Sequence, residues 1–142
     1  MAYFELDQDI GRKALAMREK AKEFGREVMR PIGIELDRLK DPADVIAGNS
    51  RLWEVFRKYR ECGFHKAMIP RAFGGSLGTS AAKGAHFMAE QMGYWDAGLA
   101  ISMEVSNMPF ALAILSESAE VRDWARQYIE DKQGNQKFTL SY

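Results

Sequence analysis

Cysteine is nearly absent. Cys62 stands alone in a chain of 142 residues, which excludes an internal disulfide and a zinc site built on cysteines. Histidine is scarce as well: His65 and His86 fall in different segments without ligand spacing, so no metal site is expected. Neither sign of charge is in excess, with 20 Lys plus Arg against 20 Asp plus Glu. The signs also alternate, as in "RKALAMREKAKEFGRE". A nucleic-acid footprint and a polybasic membrane patch are thereby disfavoured. No apolar run approaches the roughly 20 residues that a membrane-spanning helix needs. The opening "MAYFELDQDIGRK" is acidic and mixed, unlike a targeting peptide. A cytoplasmic protein is expected, with neither nucleic acid nor membrane insertion among its partners. Internal repeats and low-complexity tracts are missing too.

What is present is helical periodicity. Ile10, Ala14, Met17, Ala21, Phe24 and Val28 step by four and three along one stripe, which Ile32, Leu36 and Leu39 extend. Pro31 predicts a kink or local break in that helix. In "DPADVIAG", Asp41 is placed to cap, Pro42 to open a short helix, and Gly48 to stop it in left-handed geometry. Asn49 or Ser50 caps "RLWEVFRKYREC", with Leu52, Phe56 and Tyr59 on one face and Gly63 at its end. "FHKAMI" reads as extended or irregular, because Pro70 disfavours helical geometry at Ile69. Thr79 or Ser80 is expected to cap a helix that buries Ala81, Ala85, Met88 and Met92 and closes at Gly93. Asp96 caps "AGLAISMEV", whose apolar surroundings on nearly all sides predict burial. Pro109 is read as the start of another helix. Ser118 caps the last, with Val121, Trp124, Ala125 and Tyr128 inward. The tail "GNQKFTLSY" changes character: a Gly-Asn turn and β-favouring residues predict a strand. One strand cannot satisfy its own backbone groups, so a β-structure is expected to begin there.

Four features carry possible chemistry. "IPRAFGGSLGTS" is glycine-dense ahead of a helix, but it has neither the P-loop spacing nor a surrounding strand–helix–strand unit. A tight reversal between packed helices is the expected role of these glycines. Glu104 lies inside the apolar run "LAISMEVSNM". A carboxylate there must either face a binding pocket or pair locally, and spacing alone favours local pairing. Met88, Met92, Met103 and Met108 suit flexible lipid-like ligands but fill irregular cores more often. Cys62 beside Arg60 has no base in view, and a packed thiol is expected. Composition and spacing thus describe an all-α bundle without visible catalytic groups.

The order of the segments adds a resemblance. "REVMRPIGIELDR", "LWEVFRKYRECGFHKAMIPRAFGG", "FMAEQMGYWDAGLAISMEVSNMPFALAILSES" and "VRDWARQYIEDKQGN" resemble, in sequence, the N-terminal helical domain of the acyl-CoA dehydrogenase family. Pro70, Phe73, Gly74 and Gly75 match the family's Pro-x-x-Phe/Tyr-Gly-Gly pattern, while Cys62 replaces the usual leucine. The resemblance implies an antiparallel bundle of about six helices over residues 1–136. Residues 137–142 would begin the family's middle β-domain, just before its flavin-contacting Thr-Glu-Pro motif.

For the complete protein the resemblance implies FAD-dependent α,β-dehydrogenation of an acyl-CoA thioester. A carboxylate removes the α-proton, the β-hydrogen leaves as hydride to the flavin, and electrons pass to an electron-transfer protein. A homo-oligomer is implied as well. The catalytic base and the FAD ligands belong to other domains, so no residue here is assigned as catalytic, cofactor-binding or metal-binding. The fragment alone is expected to be inactive. Its implied share is to wall the acyl-tail end of the substrate pocket, where Ile101, Glu104 and Met108 match pocket-lining positions. Acyl-CoA oxidases and some flavin monooxygenases share this fold. The alternative reading is a stand-alone helical binding or structural module.

Overall fold

A computed structural model describes residues 11–78 and 81–131. The strand expected from residue 137 onward and the Thr79 or Ser80 cap lie outside the described residues. Within them the fold is all-α, and the only β pairing is an isolated bridge between Pro70 and Leu77.

Helix α1 spans Arg12–Phe24, passes into a π-helical turn over Gly25–Met29, and continues as α2 over Arg30–Leu36. The backbone stays helical through Pro31. Proline removes one ladder bond and presses its ring on the carbonyl one turn back. The preceding turn is widened instead of broken, with the Arg30 amide donating to the Gly25 carbonyl. This is the form the expected local break takes. The extra residue also changes which side chain is buried next: Met29 is fully inside, whereas Val28 is only half-buried.

Short α3, Pro42–Val45, opens on Asp41, whose carboxylate accepts from the Ala43 amide at 2.9 Å. It ends before Gly48, which does not adopt the left-handed conformation expected of it. Helix α4 spans Leu52–Glu61; the Ser50 hydroxyl accepts from the Leu52 amide, and Gly63 at φ 76° turns the chain out. Two single 3-10 turns, Phe64–Lys66 and Arg71–Phe73, lead into the glycine loop.

Helices α5, Ala81–Trp95, and α6, Ala97–Ala113, are separated by Asp96 alone. Gly93 does not close α5, which runs two residues further. Pro109 does not start a helix either; it lies inside α6. Helix α7 covers Ala119–Glu130 behind its Ser118 cap.

One core joins α1, the π turn, α2, α4, α5 and the first half of α6 around Phe24, Met29, Ile32, Val55, Phe64, Met88, Met92 and Met103. Each such side chain, taken fully from water, stabilises the fold by about 1.5–3 kcal/mol. A smaller cluster joins Ile69, Phe110, Ile114, Ala125, Tyr128 and Ile129. Close approach between the two halves depends on glycine. A Cβ at Gly25 would collide with the Trp95 ring, and one at Gly33 with the Asp96 carboxylate. The two glycines therefore seat the α5–α6 corner against the first long helix.

Candidate functional site: the open face of helix α6

Helix α6 begins where the Asp96 carboxylate accepts from the Leu99 amide at 2.9 Å. One side of the helix is core: Leu99, Ala100, Met103, Asn107 and Phe110 are buried. The opposite side carries Ile101, Val105, Met108 and Leu112, at steps of four, three and four. These are 62%, 41%, 52% and 65% exposed. A helix apolar all round is normally covered all round, and burial of this segment was the expectation from sequence. Only half of it is covered, because no other described element reaches the second face.

Ile101, Glu104 and Met108 stand three and four residues apart on that open side, as neighbours on a helix surface do. Glu104 has no ion pair or hydrogen bond among the described residues, so the local pairing favoured by spacing is not found. Its apolar surroundings raise its pKa above the ordinary carboxylate value, through loss of solvation. Its charge is also felt inward. Burial first, then the charges of Tyr128 and Glu104, push the Tyr59 phenol strongly upward. The carboxylate thus stands at the boundary between an oily surface and the core.

Behind the open face lies a residue that the sequence reading passed over. Asn107 is only 4% exposed, and its Oδ1 is without a hydrogen-bond partner among the described residues. An asparagine in the middle of an apolar helix was the available signal. Ser102 and Ser106 donate their hydroxyls to the carbonyls of Gly98 and Ser102, at 2.9 and 2.7 Å, and so are spent on the helix itself. Trp124, expected on the inner face of α7, is 53% exposed; Ile129 is buried there instead.

The glycine loop is fully occupied with its own chain. The Gly74, Gly75, Ser76 and Leu77 amides donate to the carbonyls of Arg71, Pro70, Lys66 and Ile69. Gly74 takes φ 82°, and a Cβ at Gly75 would strike the Ile69 carbonyl. Those amides cannot cradle a phosphate, so the loop is a hinge. Cys62 is half-buried with its thiol pKa raised by burial, which makes it a weak nucleophile. His86 is exposed beside the edge of Phe87. Among the described residues no three His, Cys, Asp or Glu side chains converge as metal ligands, and no helix is long and apolar enough to cross a membrane.

The family model described as the N-terminal domain of acyl-CoA dehydrogenase matches residues 12–124. Among solved structures, an active-site mutant of nitroalkane oxidase crystallised with 1-nitrooctane aligns with a TM-score of 0.64 at 18% sequence identity. The alignment covers 89% of this chain and 29% of that one. At that identity the likeness is one of fold, and this chain corresponds to less than a third of the other's length. A search of curated proteins finds no match.

Proposed function

Since the chain belongs to the acyl-CoA dehydrogenase family and carries its N-terminal domain, we propose that it forms the acyl-tail wall of an FAD-dependent acyl-CoA dehydrogenase. The observation that carries this reading is the bare apolar stripe Ile101, Val105, Met108 and Leu112 on α6. An exposed apolar face of this kind marks a binding surface or an interface, and an alkyl chain is the part of a thioester substrate that gains from it. Glu104 sets a polar limit within the stripe. A tail long enough to pass it meets a poorly solvated carboxylate, which costs free energy.

The described residues do not themselves fit a flavin. The glycine-rich loop has spent the Gly74, Gly75, Ser76 and Leu77 amides on its own chain. FAD, when bound to the complete protein, supplies the hydride acceptor, and the family's reaction requires a carboxylate base beside the α-carbon. We place both in parts of a longer protein. The present residues exclude water from the tail, hold it straight along α6, and set the length accepted. An acyl-CoA substrate and an electron-transfer protein are the partners that go with this activity.

Two measurements test the reading. The 142-residue chain should purify colourless and show no acyl-CoA-dependent reduction of a dye; bound FAD would overturn the assignment of the flavin site to other domains. In the full-length flavoprotein, Glu104→Leu should shift the ratio of kcat/KM toward longer tails by about tenfold, with flavin content unchanged. An unchanged chain-length profile with lowered stability would make Glu104 a scaffold residue.

A further inference from the structure

A second concave feature lies away from α6. A groove of about 370 Å³ runs between the start of α1, the glycine loop and α5, within the size range of small-molecule sites. Its floor is made of small buried residues, Ala14, Ala67, Gly84 and Ala85, with Met17 along one side. Small side chains there follow from the close approach of the helices: a Cβ at Gly84 would already lie 3.6 Å from the Ala14 Cα. Two cations are among the lining residues, Lys13 on the first turn of α1 and Arg71 in the second 3-10 turn.

Several exposed cations of the fold are paired with carboxylates. Arg51 bridges Glu35 and Glu54, Lys58 meets Glu54, and Arg126 meets Asp123. Lys13 and Arg71 have no hydrogen-bond or ion-pair partner among the described residues. Among the described residues that line the groove, none is acidic. The Arg71 guanidinium lies alongside Gly78, where a Cβ would sit 3.3 Å from Cζ. The Ser76 hydroxyl donates to the Lys66 carbonyl at 3.2 Å and so has no proton to offer a ligand.

We infer that this groove binds a small amphiphilic carboxylate, with its anionic head between Lys13 and Arg71 and its short apolar body on the Ala14–Ala67–Ala85 floor. Charge complementarity selects the head. The apolar floor selects against a fully hydrated ion such as phosphate, which has nothing to bury there. The site shares no residue with the α6 stripe and does not depend on the reading given for that stripe. Both cations are exposed, so each contributes weakly, the affinity is modest, and it weakens with salt.

The test is an NMR titration of the protein with hexanoate, hexanol and inorganic phosphate, following the amides of Ala14, Ala67 and Ala85. Hexanoate should shift these amides saturably, and hexanol and phosphate should bind at least several-fold more weakly. Lys13→Gln and Arg71→Gln should each weaken hexanoate by about two- to fivefold, and the double variant should bind it no better than hexanol. Gly84→Ala, which meets nothing closer than ordinary van der Waals contact, should weaken hexanoate without lowering Tm. The inference is overturned if hexanoate gives no saturable shift, if hexanol or phosphate binds equally well, or if the double variant keeps wild-type affinity.

Discussion

Arg60 of α4 lies over the face of Tyr128 on α7, its guanidinium carbon 4.0 Å from the ring centroid, while its Nη1 donates to the Tyr128 and Asp131 carbonyls at 3.0 and 2.9 Å. Arg60 is 6% exposed. Among the described residues no ion pair is seen to this buried guanidinium; it lies on a π face and donates to the free carbonyls at a helix C-terminus, where positive charge is favoured. The ring it covers is itself stacked on Phe110, at 3.7 Å between centroids. One arginine thus ties α4, α6 and α7 together.

Removing that guanidinium should be costly. Arg60→Met keeps the aliphatic stem but strands two carbonyls, and we expect unfolding free energy to fall by about 2–4 kcal/mol in urea denaturation. Arg60→Lys should recover only part, since one ammonium cannot both stack and donate in a plane. A loss below about 0.5 kcal/mol for Arg60→Met would show that water replaces the contact.

His65 predicts a pH dependence. Its Nε2 faces the Ile129 carbonyl at 3.2 Å, and burial lowers its pKa from 6.5 to about 4. The folded state therefore resists a proton that the unfolded state takes up. Stability is full above about pH 6.5 and declines as pH falls toward 4, by up to about 1.4 kcal/mol per unit. Below that the slope from this group ends. His65→Leu should remove this slope between pH 6.5 and 4, read from urea midpoints; an unchanged slope would assign it to other groups.

Glu104 should act with the opposite sign. Its folded pKa is raised, so its charge opposes folding in full above the folded pKa, and the penalty fades as pH falls and is gone below the unfolded value. Glu104→Gln should accordingly stabilise this chain at neutral pH, and the gap from wild type should close in acid. A variant less stable than wild type at neutral pH would reveal a hidden partner for the carboxylate.

The bare stripe of α6 should make the chain sticky. We expect light scattering to give a mass above the monomer at high micromolar concentration. Ile101→Ser combined with Leu112→Ser should restore the monomer, because both side chains are more than 60% exposed and support no core. A strictly monomeric wild type would mean that the stripe is covered.

Much of this was visible in the residue order. The capping aspartates Asp41 and Asp96, the Gly63 exit and the buried faces of α4 and α5 follow from local chemistry that needs no tertiary knowledge. The misreadings have tertiary causes. Val28 was placed where Met29 is buried, because a π turn adds a residue to the period. Pro109 reads as a start signal, yet the helix around it is held by packing on Met103 and Phe110 and runs through. Trp124 fits an inward spacing but stands where no described element meets it. At the candidate site, Ile101, Glu104 and Met108 were named as pocket-lining by the family resemblance and not by composition or spacing. Their exposure was not legible, since that depends on what else packs nearby. The Lys13–Arg71 groove joins residues 58 positions apart and leaves no local sign.

Pro109 has a further consequence for the face it sits beside. A proline has no amide proton, so the carbonyl of Val105, one turn earlier, loses its regular helical donor. An otherwise greasy surface therefore contains an acceptor in its main chain, which only replacement of Pro109 itself would pair. Whatever seals α6 must bring a donor to that oxygen or trap a water against it. A purely hydrocarbon cover would leave it thirsty, and that selects for a lid with one well-placed N–H or O–H.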